Sequence, residues 1–305
     1  MRDAFLASLT KLAQLDPDVV FLTADLGFGV FEQFEQRFPG QYFNVGVAEQ
    51  NMTSLATGLA LENKKVITYS IANFPTLRCL EQIRNDACYH NVNITIVASG
   101  GGFSYGALGM SHHATEDLAI LRALPDIKVV APCTKYEAGI ALTNLVNSSG
   151  VGYLRLDKTT GKNNPSLDFS LGKAVIHRNG SDITLVTTGG ILQDVQIAAD
   201  QLENFGISAK VLGIHTIKPI DEQAIIKATQ ETAGIITIEE HNIVGGLGSA
   251  VAEVCMDNNI IPKAFARIAI QDKYSAVVGN QHYLRKHYQI DSQAIVAKAK
   301  EILSK

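Results

Sequence analysis

Short apolar runs alternate with helical patterns along almost the whole chain, and this alternation restricts the possible folds more than any other feature. Val19-Val20-Phe21-Leu22, Val66-Ile67-Thr68-Tyr69, Ile94-Thr95-Ile96-Val97-Ala98, Lys128-Val129-Val130-Ala131 and Tyr153-Leu154-Arg155-Leu156 read as buried strands with amphipathic stretches between them. Strands that are apolar along their length need cover on both faces, which a mainly parallel sheet wrapped by helices supplies. The polar, turn-rich stretch from Asp157 to Lys173 has no helical period and reads as a linker. A second alternating set follows it, with strands at Ile183-Thr184-Leu185-Val186-Thr187, Ala209-Lys210-Val211-Leu212-Gly213, Gly234-Ile235-Ile236-Thr237-Ile238-Glu239 and Phe265-Ala266-Arg267-Ile268. The fold class expected is therefore α/β, as two consecutive mainly parallel-sheet domains at 1–156 and 174–305 joined by a linker at 157–173. A length of 305 residues fits two domains, each large enough for a core of its own.

A net charge of −4, with no basic run carrying interleaved aromatics, argues against a nucleic-acid surface. No apolar segment reaches the ~20 residues of a membrane span, and Met1-Arg2-Asp3-Ala4-Phe5-Leu6 lacks the apolar stretch of a signal peptide. A cytoplasmic chain is expected. Cys79, Cys88, Cys133 and Cys255 lack paired metal-ligand spacing and are expected to be reduced, buried thiols, with no metal held by this chain.

The run Asn44-Val45-Gly46-Val47-Ala48-Glu49-Gln50-Asn51-Met52 passes from a strand through a glycine turn into a helix. It sets a carboxylate at the helix start, where the dipole alone is one reason to find a glutamate. A carboxyl group held partly out of water there favours its neutral form and can share a proton with a cofactor ring. The run resembles the pyrimidine-binding half of transketolase-type thiamine diphosphate enzymes, whose activating glutamate lies in a Gly-Val/Ile-Ala-Glu-Gln run. The resemblance implies that Glu49 binds the cofactor and is catalytic: it protonates the pyrimidine ring and so drives the neighbouring amino group toward the base that activates the thiazolium. It also implies a transketolase C-terminal-like domain after the pyrimidine-binding domain.

Further motifs extend the resemblance in the right order. Thr23-Ala24-Asp25-Leu26-Gly27 is similar to the Ala-Asp-Leu of transketolases, implying that Asp25 binds cofactor, although an aspartate before glycine is also an ordinary turn residue. Phe74, four residues before Arg78 and followed by Glu81-Gln82-Ile83-Arg84, resembles the family's aromatic that stacks on the cofactor ring. Arg78 and Arg84 read equally as interface ion pairs. The loop from Gly100 to His113 lacks the lysine of a phosphate-binding loop, and its Ser111-His112-His113 end resembles the family's Thr-His-Gln. His112 is thereby implied in catalysis and substrate contact, and His113 in substrate binding or support.

The same register places Leu108 where sugar-phosphate transketolases read the donor hydroxyl with an aspartate, Gly100 in place of a histidine, and Gly29 in place of a phosphate-binding serine. Arg155 matches an arginine that grips substrate phosphate, and its planar fork suits a carboxylate as well. A Gly-Asp-Gly motif followed by a distant asparagine, which holds Mg2+ and the diphosphate, is not found in this sequence. The resemblance therefore implies an amino-terminal-type transketolase subunit as partner, in an α2β2 heterotetramer acting on small sugar or keto acid substrates. Its rivals are a 2-oxo acid dehydrogenase beta-type subunit, a deoxyxylulose phosphate synthase fragment, and a non-catalytic regulatory or interaction subunit of the same fold. Gly245-Gly246-Leu247-Gly248 in the second domain lacks dinucleotide-loop spacing and reads as a tight turn, with His241 beside it in packing or an interface.

Overall fold

The computed structural model describes residues 1–164 and 168–304; residues 165–167, within the expected linker, lie outside the described residues. The described strands are β1 Val19–Thr23, β2 Tyr42–Asn44, β3 Lys65–Ile71, β4 Ile94–Ser99, β5 Lys128–Val130 and β6 Gly152–Leu156, then β7 Val175–Arg178, β8 Ile183–Thr187, β9 Ala209–Gly213, β10 Thr216–Lys218, β11 Ile235–Asn242 and β12 Phe265–Ile270. They form a seven-stranded sheet, β10-β5-β6-β4-β3-β1-β2, and a five-stranded sheet, β12-β11-β8-β9-β7. Every pairing of these strands is parallel except β10 with β5 and β7 with β9. The two-sheet α/β architecture is thus the one expected.

Every residue of β1, β4 and β6 is buried, as strands covered on both faces must be. On one face the helices Arg2–Leu15 and Lys135–Val146 cover Phe21, Ile67, Val97 and Leu154. Rings reinforce this layer, with Phe5 stacked on Tyr69 at 5.5 Å and Phe31 edge-on to Phe21 at 4.9 Å. No helix among the described residues is long and apolar enough to cross a membrane. All four cysteines are free and buried.

One cluster lies within the first unit and another mainly within the second, but a third is shared between them. β10, which follows β9 of the second sheet, crosses back and pairs antiparallel with β5 at the edge of the first. The Lys218 ammonium fixes this edge by donating to the carbonyls of Arg122 and Leu124 at the end of the helix Asp117–Arg122, at 3.1 and 2.5 Å. One apolar cluster then runs without a break from Leu118, Leu121 and Ile127 to Val186, Ile225 and Leu247. The three strands that strand-length apolar runs do not reveal are β2, β7 and β10, each of three or four residues at a sheet edge.

Strand order prepares a crevice. The chain leaves β1 for β2 on one side and then returns to β3 on the other, so order reverses at β1. Loops leaving the carboxyl ends of strands on either side of such a reversal part from one another and leave room for a ligand.

Candidate functional site

The loops after β1, β2, β3 and β4 carry Asp25, Glu49, Phe74 and the segment from Gly100 to His113. Asp25 adopts a left-handed backbone, φ +53°, and Asn44 holds it there. The Asn44 side-chain oxygen accepts from the Asp25 and Gly46 amides at 2.9 and 3.0 Å, while its nitrogen donates to Asp25 Oδ1 at 3.3 Å. Gly46, φ +74°, turns the chain from β2 into the helix Glu49–Leu61. One asparagine therefore fixes both the Asp25 loop and the approach to Glu49, a role visible in sequence only as a polar residue two positions before a glycine.

Glu49 opens its helix and is 3% exposed. The sequence predicts burial at a helix start but not the partner found there. Arg78 Nη1 donates to Glu49 Oε2 at 2.7 Å, and the same guanidinium lies 4.5 Å from the centre of the Phe74 ring. Phe74 in turn meets the His112 ring edge-on at 5.2 Å. Glu49, Arg78, Phe74 and His112 thus form one continuous chain of contacts. Sequence alone leaves Arg78 open between interface and site, and its spacing of four from Phe74 is the available signal. Cys79 lies beneath the loop, donating to the Phe74 carbonyl at 3.2 Å; burial pushes its thiol up to about 11, so it is a neutral packing group.

His112 and His113 part company. His112 is half-buried and bonded to Ser111 at 3.0 Å, at the open end of the contact chain. His113 is 3% exposed, faces the Gly106 carbonyl with Nε2 at 3.2 Å, and meets the Phe103 ring edge-on. Asn73 donates to the His113 carbonyl at 2.6 Å and so ties the Phe74 loop to the His112 loop. A cavity of about 320 Å³ opens beside Asn73 and His113, bounded by Met110, Glu116 and Tyr274. Leu108 is 57% exposed on the turn Gly106–Leu108. Gly100, φ +100°, leaves room for Tyr105, whose ring atoms would lie 2.2 Å from any Cβ at that position. Gly29 faces open space.

The structure does not make Arg155 an open anion site. It is 3% exposed, and its guanidinium donates to the Glu240 and Ala114 carbonyls at 2.9 and 3.4 Å, with Asp117 and Asp157 at 3.6 and 3.7 Å. Such a charge stays inside only because it is surrounded by acceptors. A Tyr-Leu-Arg-Leu pattern cannot tell this use from substrate binding, since both need the same planar fork.

Glu240 is a second hub, to which the sequence reading assigns no role. At 4% exposure it accepts from the Phe103 amide at 2.5 Å and from Gln281 at 2.8 Å, and it pairs with Arg285. Arg285 also reaches Asp194 and Thr159 at 2.7 and 2.8 Å. Gly102 must be glycine here, because a Cβ would lie 2.3 Å from the Glu240 carboxylate. The loop that ends in His112 and His113 is thus anchored to the second domain at its start. Glu239, by contrast, caps the helix Leu247–Asp257 through the Leu247 and Gly248 amides at 2.7 and 2.8 Å, and Gly245-Gly246 form the tight turn expected. His241 is fully buried against it.

Comparison with known proteins places this geometry in a family context. The family model described as the transketolase pyrimidine-binding domain matches residues 1–162, and that for the transketolase C-terminal domain matches residues 172–295. A subunit of the apulose-4-phosphate transketolase of Phocaeicola vulgatus is 36% identical over 308 residues, covering 100% of this chain and 97% of that protein. The 6-deoxy-6-sulfo-D-fructose transketolase subunit SqwH of Clostridium sp. is 33% identical over 305 residues, covering 99% and 94%. A solved structure of a split-gene transketolase, described as an inactive beta4 tetramer, superimposes with a TM-score of 0.89 at 31% identity, covering 99% of this chain and 97% of that one.

Proposed function

Because this chain belongs to the transketolase family, carrying its pyrimidine-binding and C-terminal domains in succession, we propose that it is one subunit of a split thiamine diphosphate-dependent enzyme that moves a two-carbon ketol or acyl unit to a carbonyl acceptor. The observation that carries this reading is the contact chain from Glu49 through Arg78 and Phe74 to His112.

The residues present fit the pyrimidine end of the cofactor. A planar, cationic N–H group already bridges the Glu49 carboxylate and the Phe74 ring, in the form of the Arg78 guanidinium. A protonated heteroaromatic ring offers the same two features, a flat face and an N–H aimed at a carboxylate. The Arg78 side chain is 44% exposed, so water can take up its charge where the ring replaces it. When bound, thiamine diphosphate supplies the nucleophilic carbon that takes up and passes on the two-carbon unit. Glu49 then holds a proton between its carboxylate and the ring nitrogen, Phe74 orients the ring by stacking, and Asp25 shapes the wall after β1. His112, at the open end, exchanges a proton with the oxygen of the donor or acceptor.

The diphosphate end needs other ligands. Mg2+ takes carboxylate, carbonyl and water oxygens, whereas the one set of three clustered ligand side chains among the described residues is Cys133, Glu137 and His177. An amino-terminal-type subunit in an α2β2 assembly supplies the oxygen site in this reading. Large exposed apolar side chains near the site support a covering partner: Phe28 is 76% exposed, Val47 74% and Met110 54%. The beta4 tetramer of the solved relative is described as inactive, which fits a chain that needs a second kind of subunit. That both named relatives are transketolase subunits favours this reading over a 2-oxo acid dehydrogenase.

Titration calorimetry of thiamine diphosphate with Mg2+ is the test. The chain alone is expected to bind weakly or not at all, and its complex with the partner subunit tightly. Tight, magnesium-dependent binding by the isolated chain would exclude a shared site.

Substrate choice follows from Leu108 and the enclosure of Arg155. An apolar side chain gives a donor hydroxyl no acceptor, and a buried hydroxyl without a partner costs ~1–3 kcal/mol. Xylulose 5-phosphate is therefore expected to be a poor donor, and a smaller or differently substituted ketose or keto acid a better one. Leu108→Asp is expected to raise turnover of xylulose 5-phosphate by about 5–150-fold, the span of that penalty. Robust activity of the unaltered complex on pentose phosphates in steady-state assays would overturn this.

A further inference from the structure

A separate cluster of chemistry-bearing side chains lies between the two domains. Cys133 follows β5, Glu137 stands in the first turn of the helix Lys135–Val146, and His177 belongs to β7 of the second sheet. A sulfur, a carboxylate oxygen and a ring nitrogen from these residues all lie within 4.8 Å of one another. The side chains of His177 and Glu137 are 2% and 4% exposed, and Cys133 is fully buried. We propose that Cys133, Glu137 and His177 form a binding site for a divalent cation of the zinc class that fastens the two domains together.

The donor set is the first support. One soft thiolate, one imidazole and one carboxylate is a zinc combination, and unsuited to magnesium or calcium. Distance is the second. Around a tetrahedral zinc the nitrogen and oxygen ligands stand about 3.3 Å apart and the sulfur about 3.5 Å from each. His177 Nε2 and Glu137 Oε1 are already 3.4 Å apart, so closing the site asks only for a side-chain shift of the sulfur, with a fourth position left for water.

Local construction is the third. Glu137 Oε2 accepts from the Cys133 amide at 2.7 Å, and Thr134 accepts from the Glu137 amide at 3.2 Å. This capping arrangement fixes the carboxylate and turns its other oxygen toward His177. Gly213 makes room on the far side, since a Cβ there would lie 2.6 Å from His177 Nε2. That nitrogen is buried without a hydrogen-bond partner, so a plain hydrogen bond from imidazole to carboxylate does not account for the arrangement. On binding, the Cys133 thiol proton leaves to solvent and a metal–sulfur bond forms, with no change of oxidation state.

The test uses the full chain, freed of metal with a chelator and then titrated with zinc chloride or cobalt(II) chloride. Saturable zinc uptake at one ion per chain is expected, with a higher thermal midpoint, and cobalt should give the intense near-ultraviolet absorption of a thiolate–cobalt bond. Cys133→Ser should abolish that band. His177→Gln, which keeps a hydrogen-bonding side chain beside Glu137, should weaken zinc by at least the roughly 10–100-fold seen when a ligand's own supports are changed. No cobalt–thiolate band in the unaltered chain, or binding unchanged in folded His177→Gln, would overturn the proposal. Circular dichroism establishes that each variant is folded. Should Cys133→Ser not fold, the histidine variant decides alone. None of these readouts depends on enzymatic activity, so failure here leaves the reading of the Glu49 site untouched.

Discussion

Glu49→Gln in the reconstituted complex is expected to lower turnover by on the order of 100-fold or more while leaving cofactor affinity nearly unchanged. Glutamine fills the same space at the head of the helix Glu49–Leu61 and keeps an oxygen that accepts a hydrogen bond, so the buried site keeps its shape. What it loses is a proton that can move between side chain and ring. Exchange of the cofactor's reactive hydrogen with deuterated solvent, followed by NMR, separates this step from substrate binding. Exchange at the unaltered rate in the glutamine variant would remove Glu49 from the role proposed for it.

The Glu49 loop is legible in the sequence because its chemistry is local: a glycine turn, a helix start and a carboxylate within a few residues. The rest of the contact chain is only partly legible. Phe74 can be singled out from its motif, but its neighbours on either side, Arg78 and His112, come together through folding of two loops, one after β3 and one after β4. Asn44 and Asn73, which clamp those loops, carry no motif, because side-chain bonds to distant backbone leave no periodic trace.

The strands show the same division. Those buried on both faces announce themselves as apolar runs, whereas β2, β7 and β10 sit at sheet edges and are too short to impose a period. β10 has the largest consequence, since its return to the first sheet joins two units that the polar stretch from Asp157 makes look separate. The enclosure of Arg155 is hidden from the sequence for a related reason. Sequence shows an arginine in an apolar strand, and only the fold shows that the carbonyl of Glu240, far along the chain, has come to meet it.

That long-range junction carries the largest expected effect on stability. Glu240→Ala leaves Arg285 buried with Asp194 as its remaining carboxylate partner, and leaves the Phe103 amide without its acceptor. Breaking one partner of a buried ion pair costs about 3–5 kcal/mol, more than the pair itself contributes relative to well-packed apolar groups. Urea unfolding should therefore show a loss of this size for Glu240→Ala, and a loss in the double variant Glu240→Ala/Arg285→Ala smaller than the sum of the two single ones. Activity of the reconstituted complex should fall as well, under conditions where the variant is still folded, because the loop that ends at His112 loses its tether at Phe103. Glu240→Gln, which preserves an acceptor for that amide, should retain more activity than its stability alone would suggest. A Glu240→Ala variant within about 1 kcal/mol of the unaltered chain would show that solvent reaches the cluster and that the Glu240–Arg285 pair adds little to the join between the domains.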